Sequence, residues 1–427
     1  MVKETDKDFT LIKASRVING LGDPVIEEGA VLIQGDKICA VGPESSILPP
    51  QDAKVEEHVY KGKSLLPGLV DSHVHLIGIG DGRSGDDLVL LPDEILTLQA
   101  AKNAITHLHS GVTTVRDCGA KNRTTFMLRN AVEEKITQSP RLILSGRPVA
   151  IIGGHLSYFG IEATGDVECR DAVRQLIKEG ADFIKITASG GSTKTSFPSR
   201  PSFTIGEMTA ICDEAHKFGK HTAAHCVSTQ AIINALDAGI DTVIHGSYRE
   251  SDGSYLYRPD ITERLAEQGV FVNLTLHQSR ASQERLEIKK MSDGLTVREQ
   301  LELDSISSNV DLSFEHGAKL RSGGVILVSG SDSAWSHYKI GGFQDEVRAH
   351  VDIGMSPMEA IVSATSDAAR SCWVIENVGS LEPGKLADML VVDGNPCLDI
   401  EDLKNVVDVF QSGNKLERNY ATKDQTR

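Results

Sequence analysis

The chain has 427 residues, with 44 lysines and arginines against 60 aspartates and glutamates, so its formal net charge is −16. A chain of this length can form one large α/β barrel together with a small second domain. Its negative charge argues against nucleic acid and an anionic membrane surface as partners, because both are negatively charged themselves. No apolar run approaches the roughly 20 residues that a membrane helix needs.

Cysteine usage points to a reducing compartment. Seven cysteines lie scattered through the chain without a C-x-x-C pair. The chain starts with a charged segment that lacks the apolar core of a secretion signal. We therefore expect a cytoplasmic protein.

Short strands open the chain, and strands then alternate with helices through its middle. The opening strands are predicted at residues 11–17, 30–34 and 37–41. The eight apolar, strand-like runs of the middle are residues 65–75, 113–119, 141–149, 182–188, 221–226, 241–246, 270–276 and 325–332. The helical segments between them include residues 93–110, 171–179, 205–218, 229–238 and 310–321. Eight strand–helix alternations imply parallel strands with right-handed crossovers, and eight strands close a (β/α)₈ barrel.

The strand pattern of the chain start returns near the chain end. After a predicted helix at residues 357–369, strands are expected at residues 387–392 and 406–411. Neither flank carries enough apolar surface to fold alone. We therefore predict one small β-sandwich domain built from residues 1–63 plus 380–427, beside a barrel formed by residues 64–379.

The first predicted barrel strand ends in Ser72-His73-Val74-His75. Side chains alternate between the two faces of a strand, so the two histidines point the same way and could grip one metal ion. Active sites of such barrels lie at the carboxyl ends of the strands. Four more chemically active side chains occur in or at the ends of other predicted strands: Lys185, His225, His245 and Asp332. Lysine is almost never buried in an apolar strand unless it is paired or modified, so this set predicts a metal centre.

Two phrases in the sequence resemble the metal-dependent amidohydrolase superfamily. They are Leu-Pro-Gly-Leu-Val-Asp-Ser-His-Val-His at residues 66–75 and Leu-Glu-Pro-Gly-Lys-Leu-Ala-Asp-Met-Leu-Val-Val at residues 381–392. With Lys185 in a predicted strand, the chain resembles the two-metal branch of the superfamily. In that branch the corresponding lysine is carboxylated by CO₂ and bridges both ions. By this resemblance the histidines of the first strand and Asp332 hold one ion, and those of the fifth and sixth strands hold the other. Zinc is the expected metal, with cobalt or manganese as alternatives.

Elementary chemistry agrees with that assignment. A protonated lysine, with its ordinary pKa near ~10.4, would repel a divalent cation, whereas a carbamate is an anionic oxygen donor. Two ions that share such a bridge lower the pKa of a water molecule between them. The expected reaction is attack of the metal-bridging hydroxide on a carbonyl, with cleavage of a C–N bond. Asp332 would take the proton and pass it to the leaving nitrogen.

Substrate contacts are expected from loops near the predicted strand ends. His155 follows the third strand, and similar enzymes use a histidine there to polarise the substrate carbonyl. His277 follows the seventh strand, and Trp335 comes just after the eighth. Lys194 and Arg200 lie in the polar loop that follows the strand containing Lys185. Both are candidates to pair with a substrate carboxylate.

The substrate itself stays open. The lysine strand resembles Xaa-Pro dipeptidase-like and N-acyl-amino-acid-cleaving enzymes, including an ochratoxin amidase, and also phenylurea and thiocarbamate hydrolases. Those dipeptidases carry a tyrosine that binds the substrate carboxylate two residues after the fifth-strand histidine. This chain has Val227 at that position, and we expect Val227 to contact the substrate. An N-acyl amino acid or aryl amide is the first expectation. The alternatives are a urea, carbamate or thiocarbamate hydrolase, a dipeptidase, an esterase or phosphotriesterase, and a non-catalytic scaffold. Relatives also imply a homo-oligomer and a small-molecule substrate.

Overall fold

The structure is a computed structural model and describes residues 8–418. Within this range the strands are β1 Phe9–Val17, β2 Ile26–Gln34, β3 Lys37–Pro43, β4 Val55–Pro67, β5 Leu69–Val74, β6 Val112–Asp117, β7 Arg141–Leu144, β8 Val149–Ala150, β9 Ile161–Glu162, β10 Ile184–Thr187, β11 Thr222–Cys226, β12 Thr242–His245, β13 Phe271–Asn273, β14 Met389–Asp393, β15 Val406–Gln411 and β16 Asn414–Lys415.

The α-helices of the same range are α1 Gly85–Leu88, α2 Asp93–His109, α3 Thr124–Glu133, α4 Gly165–Glu179, α5 Ile205–Lys217, α6 Thr229–Asp237, α7 Pro259–Glu267, α8 Leu276–Ser292, α9 Val297–Ser322, α10 Phe343–Asp352, α11 Pro357–Ser363 and α12 Ser366–Ser371. Two 3₁₀ helices lie at Glu44–Ser46 and Ile400–Lys404. None of the helices in the described part of the chain combines the length and the apolarity that crossing a bilayer requires.

Both flanks of the described chain contribute to one seven-stranded sheet. Its order is β16-β15-β14-β4-β1-β2-β3. The side chains of Ile12, Val31 and Met389 belong to its apolar core, which joins strands from the two flanks. The pairing shows one sheet, and the predicted β-sandwich is not confirmed.

The remaining strands are parallel and form two sheets. One has the order β13-β12-β11-β10-β8-β9 and the other the order β5-β6-β7. Helices α4 to α7 cover the first sheet with buried side chains such as Leu176 and Ile232, and helices α2 and α10 cover the second with Leu96 and Val347. The structure is therefore an α/β fold, as predicted.

The eighth predicted strand, residues 325–332, is not a regular strand in the structure. Its strand pairing is reduced to isolated parallel bridges, one between Val272 and Leu327 and one, just after the segment, between Val74 and Ser333. The side-chain amide of Asn273 takes over part of the pairing, since it donates to the carbonyl oxygens of Val328 at 3.1 Å and of Gly330 at 3.0 Å. Regular strand pairing therefore does not close the predicted barrel.

Three other predicted elements, two strands and one helix, are each divided into two shorter elements. The first barrel run breaks at Pro67-Gly68, where β4 stays in the seven-stranded sheet and β5 begins. A Cβ at Gly68 would lie 2.1 Å from Oγ1 of Thr113, so glycine permits this close approach. The third run breaks into β7 and β8 around Gly146, whose φ is +65°. The predicted helix at residues 357–369 is split into α11 and α12.

Candidate active site

His73 and His75 lie at the carboxyl end of β5, and their Nε2 atoms are 3.4 Å apart. Nδ1 of His75 lies 2.8 Å from the carbonyl oxygen of Gly119, which can only accept a hydrogen bond. Nδ1 of His73 lies 3.1 Å from Oδ1 of Asn273, whose amide nitrogen is already used by two carbonyls. We infer that both Nδ1 atoms carry the proton. Both Nε2 atoms then offer a lone pair, as metal-binding imidazoles do.

The carboxylate of Asp332 lies between the candidate histidines. Its Oδ1 is 3.4 Å from Nε2 of His73 and 3.4 Å from Nε2 of His75. Its Oδ2 accepts a hydrogen bond of 2.8 Å from Nε2 of Gln278 and lies 4.0 Å from Nε2 of His245. Burial raises the pKa of Asp332 to about 7. The ligand atoms of His73, His75 and Asp332 all lie within 4.8 Å of one another, so these residues could hold a metal ion.

Lys185 lies inside β10 with 1% of its surface exposed. Its Nζ is 3.5 Å from Nε2 of His73. Burial lowers the pKa of this lysine, because the protonated form loses its hydration. The structure thus places the buried Lys185 beside His73.

His225 and His245 come from the ends of β11 and β12, and their ring centroids lie 4.6 Å apart. Nδ1 of His245 is 2.8 Å from Oγ1 of Thr275. Nε2 of His225 is 3.0 Å from the carbonyl oxygen of Gly190, so it carries the proton and Nδ1 keeps the lone pair. Among the described residues, this pair does not join the compact three-residue cluster around Asp332.

All four candidate imidazoles have a lowered pKa. Burial, followed by the nearby charge of Lys185, lowers the pKa of His75 and of His225 to about 3. Burial also lowers the pKa of His73 and of His245 well below its ordinary value. Imidazole must be neutral to bind a metal ion, and these four are neutral at physiological pH.

Two of the candidate ligands have a left-handed backbone. The φ angle is +66° at His245 and +53° at Asp332. Such a conformation costs on the order of 1–3 kcal/mol for a non-glycine residue and is typical of functional sites. At Asp332 the surrounding structure holds it in place, because its backbone N–H donates to the carbonyl of His73 at 2.7 Å.

His155 completes the group of histidines. Its ring centroid is 4.4 Å from that of His225, and its Nδ1 lies 3.1 Å from Oγ1 of Thr193. A Cβ at Gly191 would lie 2.6 Å from Nε2 of His155, so the absence of a side chain there gives the imidazole its room.

These residues line one cavity of about 430 Å³. This volume suits a small molecule. Val227 and Trp335, both predicted from the sequence as substrate contacts, are part of its wall. The predicted carboxylate partners Lys194 and Arg200 are not among its lining residues.

His277 is a correction to the sequence prediction. It does not line the cavity; its ring lies 4.8 Å from that of Tyr338 and its Nε2 is 3.9 Å from Asp345. The seventh strand ends at Asn273, and α8 begins at Leu276. The helix turns Gln278 towards the cavity instead.

Several residues of the site carry no recognisable sequence motif. Asn273 and Gln278 orient candidate ligands, Thr193 contacts His155, and Arg249 lines the cavity. Only their nearness to predicted strand ends could have drawn attention to them.

Buried imidazoles, a lysine and an aspartate gathered at the ends of parallel strands define a metal-dependent hydrolase. The chain belongs to the Amidohydrolase family, whose pattern matches residues 64–416. Ochratoxinase from Aspergillus niger is 26% identical over 447 residues, covering 97% of this chain and 88% of that protein.

Solved structures agree with this assignment. A Xaa-Pro dipeptidase crystallised with methionine in its active site is 27% identical, has a TM-score of 0.81, and covers 96% of this chain and 100% of its own. Phenylurea hydrolase B is 22% identical with a TM-score of 0.78, over 96% of this chain and 97% of its own, which supports the fold alone. The resemblance found in the sequence is confirmed, and the chain is an enzyme that hydrolyses C–N bonds.

Proposed function

We propose that this enzyme hydrolyses the amide bond of a small N-acyl amino acid or aryl amide and uses two divalent metal ions. The position of Lys185 carries the proposal. Its Nζ is 3.5 Å from Nε2 of His73. Its strand β10 also pairs with β11, which carries His225, and Lys185 lines the same cavity as His225 and His245, so it lies near both groups of candidate ligands.

The donor set fits divalent ions. Neutral imidazoles with carboxylate oxygens suit zinc, and cobalt or manganese can take the same ligands. His73, His75 and Asp332 would hold one ion, His225 and His245 the other, and Lys185, carboxylated by CO₂, would hold both. When bound, such ions polarise a carbonyl group and lower the pKa of a water molecule.

Asp332 is the proposed proton carrier. Its carboxylate would accept the proton of the attacking water and deliver it to the leaving nitrogen. The amide of Gln278 donates to Oδ2 at 2.8 Å and so orients the carboxylate. This contact leaves Oδ1 directed at the histidines of β5.

His155 is the proposed donor to the substrate carbonyl. Oγ1 of Thr193 lies 3.1 Å from its Nδ1. With the threonine hydroxyl as donor, the imidazole proton stays on Nε2, where it can meet a carbonyl oxygen. Val227 and Trp335 would pack against the apolar part of the substrate.

A Xaa-Pro dipeptide is the second candidate substrate. The likeness to the solved Xaa-Pro dipeptidase favours it, although Val227 replaces the tyrosine that such dipeptidases carry at this point. Neutral ureas, carbamates and thiocarbamates, and esters or phosphotriesters, stay alternatives because the same centre would attack them. A non-catalytic scaffold would lack the ligands that are present here.

A substrate panel on zinc- or cobalt-loaded enzyme tests the proposal. It covers N-acyl amino acids, anilides, Xaa-Pro dipeptides, phenylureas, carbamates and lactones. We expect cleavage of an amide and about two ions per chain by elemental analysis. A fully loaded enzyme that cleaves no C–N bond in the panel would refute the proposal.

We also infer the architecture of the chain: a (β/α)₈ barrel formed by residues 64–379 and a small β-sandwich formed by residues 1–63 plus 380–427. The bridges from Leu327 to β13 and from Ser333 to β5 support the proposal, because they put this segment where an eighth strand would lie. The sheet shared by both flanks supports the second domain.

We also propose a cytoplasmic homo-oligomer without nucleic-acid or membrane partners. All seven cysteines are free, which suits a reducing compartment. Exposed apolar side chains lie around the turn between α8 and α9: Ile288, Met291, Val297 and Leu301. Exposed apolar side chains concentrated in one part of the surface favour self-association. Light scattering would measure the oligomeric state.

A further inference from the structure

The charge of the cavity differs from that of the whole chain. Although the net charge is −16, the guanidinium groups of Arg83 and Arg249 line the cavity, and Asp332 is the one carboxylate that does so among residues 8–418. Both arginines are exposed and therefore lie at the mouth. The cavity lining therefore holds more basic than acidic side chains, unlike the chain as a whole.

The two arginines differ in their partners. Arg83 is held by Asp81, with contacts of 2.8 Å from Nε and 2.7 Å from an amino nitrogen. The guanidinium of Arg249 makes no ion pair or hydrogen bond within the part of the chain that the structure describes. The acid next to it, Glu250, is engaged elsewhere, with Oγ1 of Thr229 at 2.9 Å. Arg249 is thus the rim cation that is available to a ligand.

The backbone of Arg249 is well anchored. Its carbonyl accepts from the N–H of Thr229 at 2.9 Å, and an antiparallel bridge joins it to Tyr255. The preceding residue, Tyr248, is buried and lies 2.9 Å from Oγ1 of Thr262 through its hydroxyl. Only the arginine side chain has to be ordered when a ligand binds, which keeps the entropic cost low.

We propose that Arg249 binds a carboxylate of the substrate, so that the enzyme acts on N-acylated amino acids or dipeptides and discriminates against neutral amides, ureas and carbamates. This inference rests on the proposed function. A guanidinium recognises a carboxylate through two parallel N–H···O bonds.

The position of Arg249 explains how a carboxylate can be bound without the tyrosine of the related dipeptidases. Val227 occupies the tyrosine position after β11. The backbone hydrogen bond from Thr229 to Arg249 joins this loop to the loop after β12. Both Val227 and Arg249 line the cavity. The second loop therefore supplies the polar contact that the first loop lacks.

The test uses matched substrates that differ by one charge. The full-length, zinc-loaded enzyme is given N-benzoyl-L-phenylalanine and its carboxamide, with benzoate release as the readout, and glycyl-L-proline and its prolinamide, with glycine release. We expect kcat/KM to be about 10- to 100-fold higher for each carboxylate, mainly through a lower KM.

Variants then assign the preference to a residue. In Arg249→Met the ratio of kcat/KM for the carboxylate substrate to kcat/KM for its carboxamide should fall to about 3-fold or less. Arg249→Lys should give an intermediate ratio, because lysine keeps the positive charge but lacks the two parallel N–H donors of a guanidinium. Arg200→Gln is the matched control, since this exposed guanidinium lies outside the cavity lining. Its ratio should equal that of the wild type.

The outcomes separate the two proposals. A wild-type enzyme that cleaves only the neutral members, or a ratio that survives in Arg249→Met, overturns the role of Arg249 and leaves the amide hydrolase standing. Should Arg249→Met not fold, the ratio in Arg249→Lys decides in the same way. Cleavage of neither member of any pair, together with failure on every other C–N substrate, refutes the proposed function itself.

Discussion

The two halves of the candidate metal centre differ in how closely their ligand atoms are grouped. In the first half, the ligand atoms of His73, His75 and Asp332 lie within 4.8 Å of one another. In the second half, the rings of His225 and His245 lie 4.6 Å apart, and Nε2 of His225 is hydrogen-bonded to a backbone carbonyl. The first half contains an anionic ligand, Asp332, within the compact cluster. The second half has no anionic ligand of its own.

This difference has a simple electrostatic origin. The first half contains the carboxylate of Asp332, which compensates the charge of a cation. The second half has only neutral imidazoles and the amine of Lys185, and the proposed carboxylation of that amine would give it a negative ligand. We therefore expect two ions of unequal affinity, with the tighter ion in the first half.

Replacing Lys185 with methionine should have the largest effect. The variant removes the group that would link the halves, so the metal content should fall to about one ion per chain and kcat/KM by at least about 10³-fold. Elemental analysis and kinetics on the same preparation measure both. Lys194→Met, in the neighbouring polar loop, serves as the control. Two tightly held ions in the Lys185 variant would show that the lysine is not a ligand.

Replacing Asp332 with asparagine should come next. The amide keeps the shape of the side chain but cannot carry the proton, so kcat should fall by about 10²- to 10⁴-fold. The first ion should bind more weakly without the carboxylate charge, but we expect the metal content to stay largely intact in excess metal, because the amide oxygen and the other ligands are still present. Full activity of Asp332→Asn would contradict the role of this residue as proton carrier.

Comparing His75→Ala with His245→Ala sharpens the distinction between the halves. His75→Ala should weaken the tight ion by about 100-fold or more, and His245→Ala should release the weak ion while the tight one stays bound. Titration with a competing chelator of known affinity measures each step. If both variants lose the same ion, the centre has one site and the comparison fails.

The smallest effect is expected at the hydrogen bond to Asp332. Gln278→Ala should lower kcat by about 10-fold with little change in KM, since the amide orients the carboxylate. Gln283→Ala on the same helix is the control, because Nε2 of Gln283 bonds to Ser307 at 3.2 Å. Equal kinetics for the two variants would remove Gln278 from the positioning residues.

Local patterns in the sequence predicted much of this protein. Strand alternation put His73 and His75 on one side, and an apolar run around Lys185 marked it as buried. Glycines at helix ends also marked boundaries: Gly111, Gly180, Gly219 and Gly239 follow α2, α4, α5 and α6 and have positive φ angles. These features depend on neighbouring residues, so they can be read without the fold.

Contacts between distant residues decided the rest. In the 325–332 segment, hydrogen bonds from the side-chain amide of Asn273, more than 50 residues away, replace part of the regular strand pairing. The start of α8 is stabilised by Glu346, whose carboxylate accepts the backbone N–H groups of Leu276 at 3.0 Å and His277 at 2.7 Å. That contact turns Gln278 rather than His277 into the cavity.

The sequence by itself thus determined which chemical groups stand at the strand ends, because side-chain alternation is a local property of the chain. Only the tertiary structure decided which of these groups are gathered and oriented, and which arginine at the mouth has no ion pair within residues 8–418. Hydrogen bonds and ion pairs between residues far apart along the chain depend on distance in space, and sequence spacing does not contain that information.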